Sequence, residues 1–156
     1  MNNKISNIDS SILDDLITGR VEPYIYAFST NTIPNYLKVG DTYRPVDTRI
    51  NEWKKLFPNL VKEFSAPARI DNNTIFRDYT VHSFLIDERG RERLLPSTYS
   101  NIVYYSKEFF KNATIKDLND AIIDIQKSAS ENSGKYQLYT TKRLPITFIY
   151  KRNLNY

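Results

Sequence analysis

The sequence has no cysteine, one histidine, one tryptophan and only four glycines among its 156 residues. The absence of cysteine excludes disulfide bonds and thiolate metal sites, and one histidine is too few for an ordinary structural zinc site. We therefore expect any bound metal ion to be held mainly by oxygen atoms. The sequence also lacks an apolar run long enough to cross a bilayer, and it lacks the pattern of a signal peptide, so we expect a cytoplasmic protein.

The residues that are abundant indicate a folded domain with a mildly basic surface. Hydrophobic residues make up 40% of the chain, and 22 lysines and arginines stand against 18 acidic residues. A surplus of this size permits binding to a polyanion but does not demand it, because a solvated basic surface is the commoner explanation. The twelve tyrosines and eight phenylalanines suit a nucleic-acid surface, but packing in a half-buried sheet explains most of them.

The pattern divides the chain into three parts. Residues 1–22 are predicted to hold an N-terminal helix, residues 23–132 the main domain, and residues 133–156 a C-terminal extension or linker with strand-like segments. The helix is predicted from apolar residues at helical spacing, which are Ile8, Ile12, Leu13, Leu16 and Ile17.

The main domain begins with a pattern typical of a β-hairpin followed by a helix. The segments YIYAFS and YLKVGDT are rich in β-branched and aromatic residues and are separated by the turn-forming TNTIPN. Pro45 suits the first turn of a helix, and Pro58 would end it. The apolar face of this predicted helix contains Val46, Ile50, Trp53 and Leu56.

The rest of the domain adds one strand and two helices to this unit. The segment NLVKEFSAPARI predicts a third strand, which Pro67 places at an edge or a bulge. Helices are predicted over residues 74–88 and after Thr114, where Ile115, Leu118, Ile122 and Ile125 share one face. We therefore expect an α+β fold, with a small antiparallel β-sheet flanked by α-helices.

Four segments together resemble the GIY-YIG nuclease superfamily, in the branch whose second signature reads Lys-hydrophobic-Gly. They are YIYAFS, LKVGDTYRPVDTRINEW, FRDYTVHSFL and KEFF, within roughly residues 23–112. The resemblance implies a small antiparallel sheet flanked by helices, one divalent metal ion, and hydrolysis of a nucleic-acid phosphodiester bond.

The resemblance also implies roles for particular residues. Tyr26 belongs to the first signature, Lys38 and Gly40 belong to the second, and Arg49 falls at the arginine position. Two departures stand out, since Tyr24 replaces the glycine of the first signature and Lys38 replaces the tyrosine of the second.

The metal ligand implied by the resemblance is acidic. Asp78 fits best because His82, which the resemblance makes a further candidate catalytic residue, follows it by four residues, although the family usually has glutamate there. Glu108 in KEFF is the alternative ligand. With oxygen ligands of this kind, the implied cofactor is Mg²⁺ or Mn²⁺.

These residue types suit phosphodiester hydrolysis. Arg49 and a metal ion on Asp78 would stabilise the negative charge of the transition state. Tyr26 or a neutral Lys38 could take the proton of the attacking water, and Lys38 could equally stay protonated and hold phosphate. A set of basic residues could contact the nucleic-acid backbone, namely Arg44, Lys54, Lys55, Arg77 and Lys107.

The function expected from the sequence is therefore metal-dependent cleavage of DNA, in restriction, defence or repair. A domain of this size has little surface for sequence recognition, so we expect a fused or associated helicase or specificity domain, or a homo-oligomer. The alternative is a nucleic-acid-binding module that keeps the fold without catalysis. A protein-interaction domain is less favoured.

Overall fold

The computed structural model describes residues 22–95 and 107–141. The predicted N-terminal helix and most of the predicted C-terminal extension lie outside the described residues. The described strands are β1 (Tyr24–Ser29), β2 (Tyr36–Thr42), β3 (Val61–Pro67), β4 (Thr74–Ile75), β5 (Phe109–Lys111) and β6 (Tyr139–Thr140). The described helices are α1 (Val46–Trp53), α2 (Asp78–Asp87) and α3 (Ile115–Ser130).

A four-stranded antiparallel sheet forms the centre of the fold, with the strand order β3-β1-β2-β5. The α+β fold class expected from the sequence is confirmed. The predicted hairpin is strands β1 and β2, in which Tyr26 lies opposite Gly40 and Phe28 lies opposite Lys38. Strand β3 occupies an edge and ends at Pro67, as its proline predicts.

The two faces of the sheet carry different chemistry because side chains alternate along a strand. Ile25 and Val39 belong to a core cluster that also contains residues of α2 and α3. Tyr26 and Phe28 belong to a second cluster on the other face, together with Trp53 of α1. Tyr26 and Lys38, which contacts Tyr26 and Trp53, therefore lie on the face covered by α1, whereas His82 lies on α2.

The helix after Pro45 is confirmed, but the prediction that Leu56 belongs to its apolar face is wrong. Ile50 and Trp53 are buried, whereas Leu56 is 54% exposed. The helix ends at Trp53, so Leu56 lies in the following turn and no longer points to the helix face. Phe57 takes the buried position instead.

The helix predicted to begin at residue 74 begins at Asp78. Thr74 and Ile75 form strand β4, which pairs with β6 in the predicted C-terminal extension. A two-residue strand has no periodicity to recognise, and its partner lies far along the chain, so local pattern favoured the helix.

The sequence pattern did not predict strand β5, which begins at Phe109 in KEFF, and this strand positions a residue of the site. Phe109 and Phe110 are fully buried and belong to the clusters on opposite faces of the sheet. Phe109 lies opposite Lys38 of β2. Glu108, directly before the strand, is thereby placed next to Lys38.

Helix α3 confirms the helix predicted after Thr114. Thr114 accepts a hydrogen bond from the Asp117 backbone N–H, and the Asp117 carboxylate accepts one from the Thr114 N–H, which makes a capping box. Leu118 and Ile125 are fully buried, although Ile115 is 43% exposed. Of the helices in residues 22–95 and 107–141, none has the length and apolar character needed to cross a membrane.

Candidate active site

Tyr26 and Lys38 form a buried polar pair on the α1 side of the sheet. Each side chain is only 1% exposed, and the Lys38 Nζ donates a hydrogen bond of 2.9 Å to the Tyr26 hydroxyl oxygen. Strands β1 and β2 hold both residues, so neighbouring strands fix their positions. The structure thus brings together the two residues that the sequence assigned to the two signatures.

Lys38 is placed as a charged group. Its Nζ forms an ion pair of 2.8 Å with Glu108 Oε1, and it also lies 4.2 Å from the centre of the Trp53 ring. A buried ammonium needs such a carboxylate, and an aromatic face adds further compensation. This surrounding favours the phosphate-holding role for Lys38 over the role of a neutral base.

Glycine is required at position 40 because a larger side chain would not fit, and not because of the backbone conformation. A Cβ atom there would lie 2.5 Å from Lys38 Nζ and 2.9 Å from the Tyr26 hydroxyl oxygen. The φ angle of Gly40 is not positive, so an alanine at this position would cause no backbone strain. The glycine of the second signature therefore leaves room for the two side chains that cross over it.

We expect Gly40→Ala to reduce activity more than stability. The added methyl group would displace the tips of Lys38 and Tyr26, and a displacement of about 1 Å can lower a catalytic rate roughly 100-fold. Gly90→Ala is the contrasting control, because Gly90 has a φ of 63° in open space and its substitution strains only the backbone. Equal cleavage rates for wild type and Gly40→Ala, measured on plasmid DNA, would contradict the assignment.

Arg49 lies at the edge of the same cluster and shares a carboxylate with Arg44. The Glu52 side chain accepts two hydrogen bonds from Arg44, of 2.6 and 2.7 Å, and one of 3.0 Å from Arg49. These guanidinium groups lower the pKa of Glu52 to about 2, with Arg44 as the larger cause. Two arginines on one carboxylate leave a net positive charge, which suits a phosphate group.

Asp78 lies at the beginning of α2, with its carboxylate largely buried near charged groups of both signs. Burial is the main cause that raises its pKa to about 7; the carboxylates of Asp41 and Glu108 act in the same direction, and Lys38 and Arg77 oppose them. In the described part of the chain, no cationic side chain forms an ion pair with Asp78. A carboxylate in this situation favours a proton or a bound cation.

Asp41 is a residue of this region that the sequence reasoning missed. Its carboxylate accepts hydrogen bonds from the Asp78 backbone N–H at 2.9 Å and from Arg77 Nε at 2.6 Å. It therefore holds the first residue of α2 in place. The only available signal was its position directly after the KVG signature, which does not distinguish it from a surface aspartate.

Arg77, predicted to contact nucleic acid, is tied to the protein on two sides. It forms an ion pair with Asp41, and its guanidinium lies 4.9 Å from the centre of the Tyr43 ring. These contacts give Arg77 a structural role at the start of α2.

His82 is buried beneath the sheet, one turn after Asp78. The side chain is 5% exposed, and Nε2 donates a hydrogen bond of 2.8 Å to the Val39 carbonyl oxygen. This contact joins α2 to β2 and uses one ring nitrogen. The catalytic role of His82 stays a prediction, whereas the geometry gives it a structural one.

The burial of His82 predicts a dependence of stability on pH. Burial lowers its pKa from 6.5 to about 4. Because the unfolded chain binds the proton more readily, the stability contributed by His82 is present above pH 6.5 and is lost as the pH falls towards 4.

We therefore expect the stability advantage of wild type over His82→Gln to shrink by roughly 1–3 kcal/mol across this interval. Denaturant unfolding at a series of pH values would measure the difference. A difference that stays constant from pH 6.5 to 4 would contradict a buried neutral imidazole.

Among the remaining basic residues of the predicted interface, the three lysines do not join the cluster through described contacts, and Arg44 joins it through Glu52. Lys54, Lys55 and Lys107 are exposed, and Arg44 is 45% exposed beyond its pairing with Glu52. Their predicted contacts with nucleic acid stay predictions.

A magnesium ion could bind in this region only if water and substrate supplied most of its ligands. Within residues 22–95 and 107–141, no group of three His, Cys, Asp or Glu side chains is arranged to hold a metal ion. Mg²⁺ commonly uses one or two carboxylates, with water and substrate phosphates as its other ligands. Asp78 fits that requirement, and Glu108 is close enough to affect its pKa, although Glu108 is already paired with Lys38.

A comparison of the chain with protein-family models, with curated proteins and with solved structures found no match.

Proposed function

We propose that this domain is a metal-dependent endonuclease that hydrolyses DNA phosphodiester bonds. The observation that supports the proposal best is the buried Tyr26 and Lys38 pair, with Arg49 at its edge. A buried lysine, tyrosine and tryptophan in mutual contact is an expensive arrangement for packing alone, because buried polar groups must all find partners. The resemblance of the signatures to GIY-YIG nucleases supplies the reaction class.

The proposed roles follow from the contacts. Lys38, held by Glu108, keeps a positive charge where phosphate oxygens would approach. Tyr26 is the group that takes the proton of the attacking water; it does so as the phenolate, after its own proton has left to solvent, and the N–H donors around its oxygen stabilise that phenolate. Arg49 binds the phosphate at the exposed side of the cluster.

Asp78 would hold the metal ion, and Glu108 is the second candidate ligand. A bound Mg²⁺ or Mn²⁺ would neutralise phosphate charge and so assist hydrolysis. The protein's own part is to hold the Asp78 carboxylate through the hydrogen bond between Asp41 and the Asp78 N–H. A role in restriction, defence or repair, with a helicase or specificity domain as partner, belongs to the same proposal.

The test is incubation of the protein with supercoiled plasmid and with single-stranded DNA. Samples contain Mg²⁺, Mn²⁺ or a chelator, and a Tyr26→Phe preparation purified in parallel controls for contaminating nucleases. Nicking that requires metal and Tyr26 would support the proposal. Binding without cleavage under every condition would overturn it in favour of a noncatalytic nucleic-acid-binding module, and neither binding nor cleavage would turn attention to protein partners.

A further inference from the structure

Trp53, the only tryptophan of the chain, touches three residues of the proposed site. Its indole N–H donates a hydrogen bond of 2.6 Å to the Tyr26 hydroxyl oxygen. The centre of its ring lies 4.2 Å from Lys38 Nζ and 4.7 Å from the Arg49 guanidinium carbon. The sequence had assigned Trp53 only to the apolar face of a helix.

We propose that Trp53 is a positioning residue for the nuclease reaction, an inference that rests on the proposed function. It acts on Tyr26 through its N–H group, and on Lys38 and Arg49 through its ring. A tryptophan ring is the strongest aromatic partner for a cation, and an indole N–H can only donate. One side chain thereby aligns the proton-accepting group and two phosphate-binding groups.

The hydrogen bond from Trp53 limits the directions from which the Tyr26 oxygen can contact a water molecule. The oxygen already accepts hydrogen bonds from the Trp53 N–H and from Lys38 Nζ. Tyr26 can therefore contact a water molecule only along the remaining direction of its oxygen. Both donors also stabilise the negative charge of the phenolate that accepts the proton.

The contact with Arg49 limits the freedom of a long side chain. Arg49 and Trp53 are four residues apart on α1, which places them on the same side of the helix. The guanidinium is held between the ring and the Glu52 carboxylate. Arginine held in this way loses less conformational entropy when it binds phosphate.

Core packing alone would explain the burial of Trp53, but not these polar contacts. The ring is 2% exposed and packs against Phe28 and Phe57. Any large aromatic residue would meet that need. Trp53→Phe separates the two explanations, because it keeps an aromatic ring in the core and removes the N–H donor.

The first experiment measures kcat and KM for plasmid cleavage with Mg²⁺. We expect Trp53→Phe to lower kcat by on the order of tenfold to 100-fold with little change in KM, since the general base loses its alignment. Phe57→Leu is the matched control, because Phe57 is equally buried in the same cluster and has no polar contact with Tyr26 or Lys38. We expect this control to lower thermal stability while kcat is kept.

The second experiment is a double-mutant cycle. In a Tyr26→Phe background, the further change Trp53→Phe should cost little additional activity, because the oxygen on which Trp53 acts has gone. A purely structural effect of Trp53→Phe would instead add to the effect of Tyr26→Phe.

Fluorescence of the single tryptophan gives a readout independent of cleavage. Lys38→Met removes a cation from the ring face, so the emission spectrum should shift, whereas Lys54→Met on the exposed surface should leave it unchanged.

Unchanged kcat in Trp53→Phe, in a protein whose wild type cleaves DNA, would overturn this inference and leave the proposed function intact. Additive costs in the double-mutant cycle, or an emission spectrum insensitive to Lys38→Met, would also overturn it. A wild-type protein that cleaves nothing with any metal would overturn the proposed function first, and the inference with it.

Discussion

Replacement of Asp78 by asparagine is expected to abolish metal-dependent DNA cleavage and at the same time to stabilise the fold. The carboxylate lies at the start of α2, where burial and the charges of Asp41 and Glu108 raise its pKa from 3.8 to about 7. Ionisation of Asp78 therefore costs stability as the pH rises across this interval. Asparagine carries no charge and avoids that cost, but it is a poor ligand for Mg²⁺.

The stability part of this prediction is measured by thermal unfolding above pH 7 in the absence of divalent metal. Asp78→Asn should unfold at a higher temperature than wild type. Asp87→Asn is the matched control, because Asp87 lies exposed at the other end of the same helix and should affect neither stability nor cleavage strongly. A lower unfolding temperature for Asp78→Asn would show that its carboxylate has a stabilising partner.

Added Mg²⁺ provides a further readout that does not depend on cleavage. A metal ion that binds the folded protein raises its unfolding temperature, and the rise grows with the logarithm of the metal concentration above the Kd. We expect this rise in wild type and a much smaller one in Asp78→Asn. If Asp78→Asn keeps both the rise and cleavage while Glu108→Gln loses them, the metal ligand is Glu108.

Asp78→Glu should retain part of the cleavage activity. Glutamate keeps the carboxylate and is the residue usual at this position in the family that the sequence resembles. Complete loss in this variant, with a folded protein, would indicate that the position of the carboxylate matters more than its charge.

The central part of the fold could be predicted from local pattern. The hairpin of β1 and β2 was visible because its residues alternate and its turn has strong turn chemistry. The same alternation places Tyr26 and Lys38 on one face, so their meeting also follows from the hairpin. Strands β4 and β5 have two and three residues and escaped prediction, because so short a run has no period, whereas β6 falls in the extension predicted to hold strand-like segments.

The supporting residues of the site could not be predicted for a different reason. Trp53 was read as an apolar helix residue, which is correct for its burial but says nothing of its N–H group. Glu52 and Asp41 carry no sequence signal that distinguishes them from surface acids. Their partners lie on other elements or across a helix turn, so only the assembled fold shows which cations and N–H groups they bind.

Removal of the Arg49 side chain is expected to lower kcat for DNA cleavage by on the order of 100-fold to 1,000-fold, a loss typical for one group that stabilises transition-state charge. The fold should tolerate Arg49→Ala, because Glu52 keeps its two stronger hydrogen bonds to Arg44. Trp53 loses one cation from its face and keeps Lys38.

Arg44→Ala is the matched control for this loss, since Arg44 shares the same carboxylate but is more exposed. It should weaken DNA binding modestly, mainly as a change in KM that grows smaller in high salt. Arg49→Lys should restore little activity, because an ammonium group cannot reproduce the planar, two-point contact of a guanidinium with phosphate. Comparable kcat losses in Arg44→Ala and Arg49→Ala would mean that the two arginines, which share Glu52, bind DNA as a unit. Unchanged kcat in Arg49→Ala would remove Arg49 from the catalytic site.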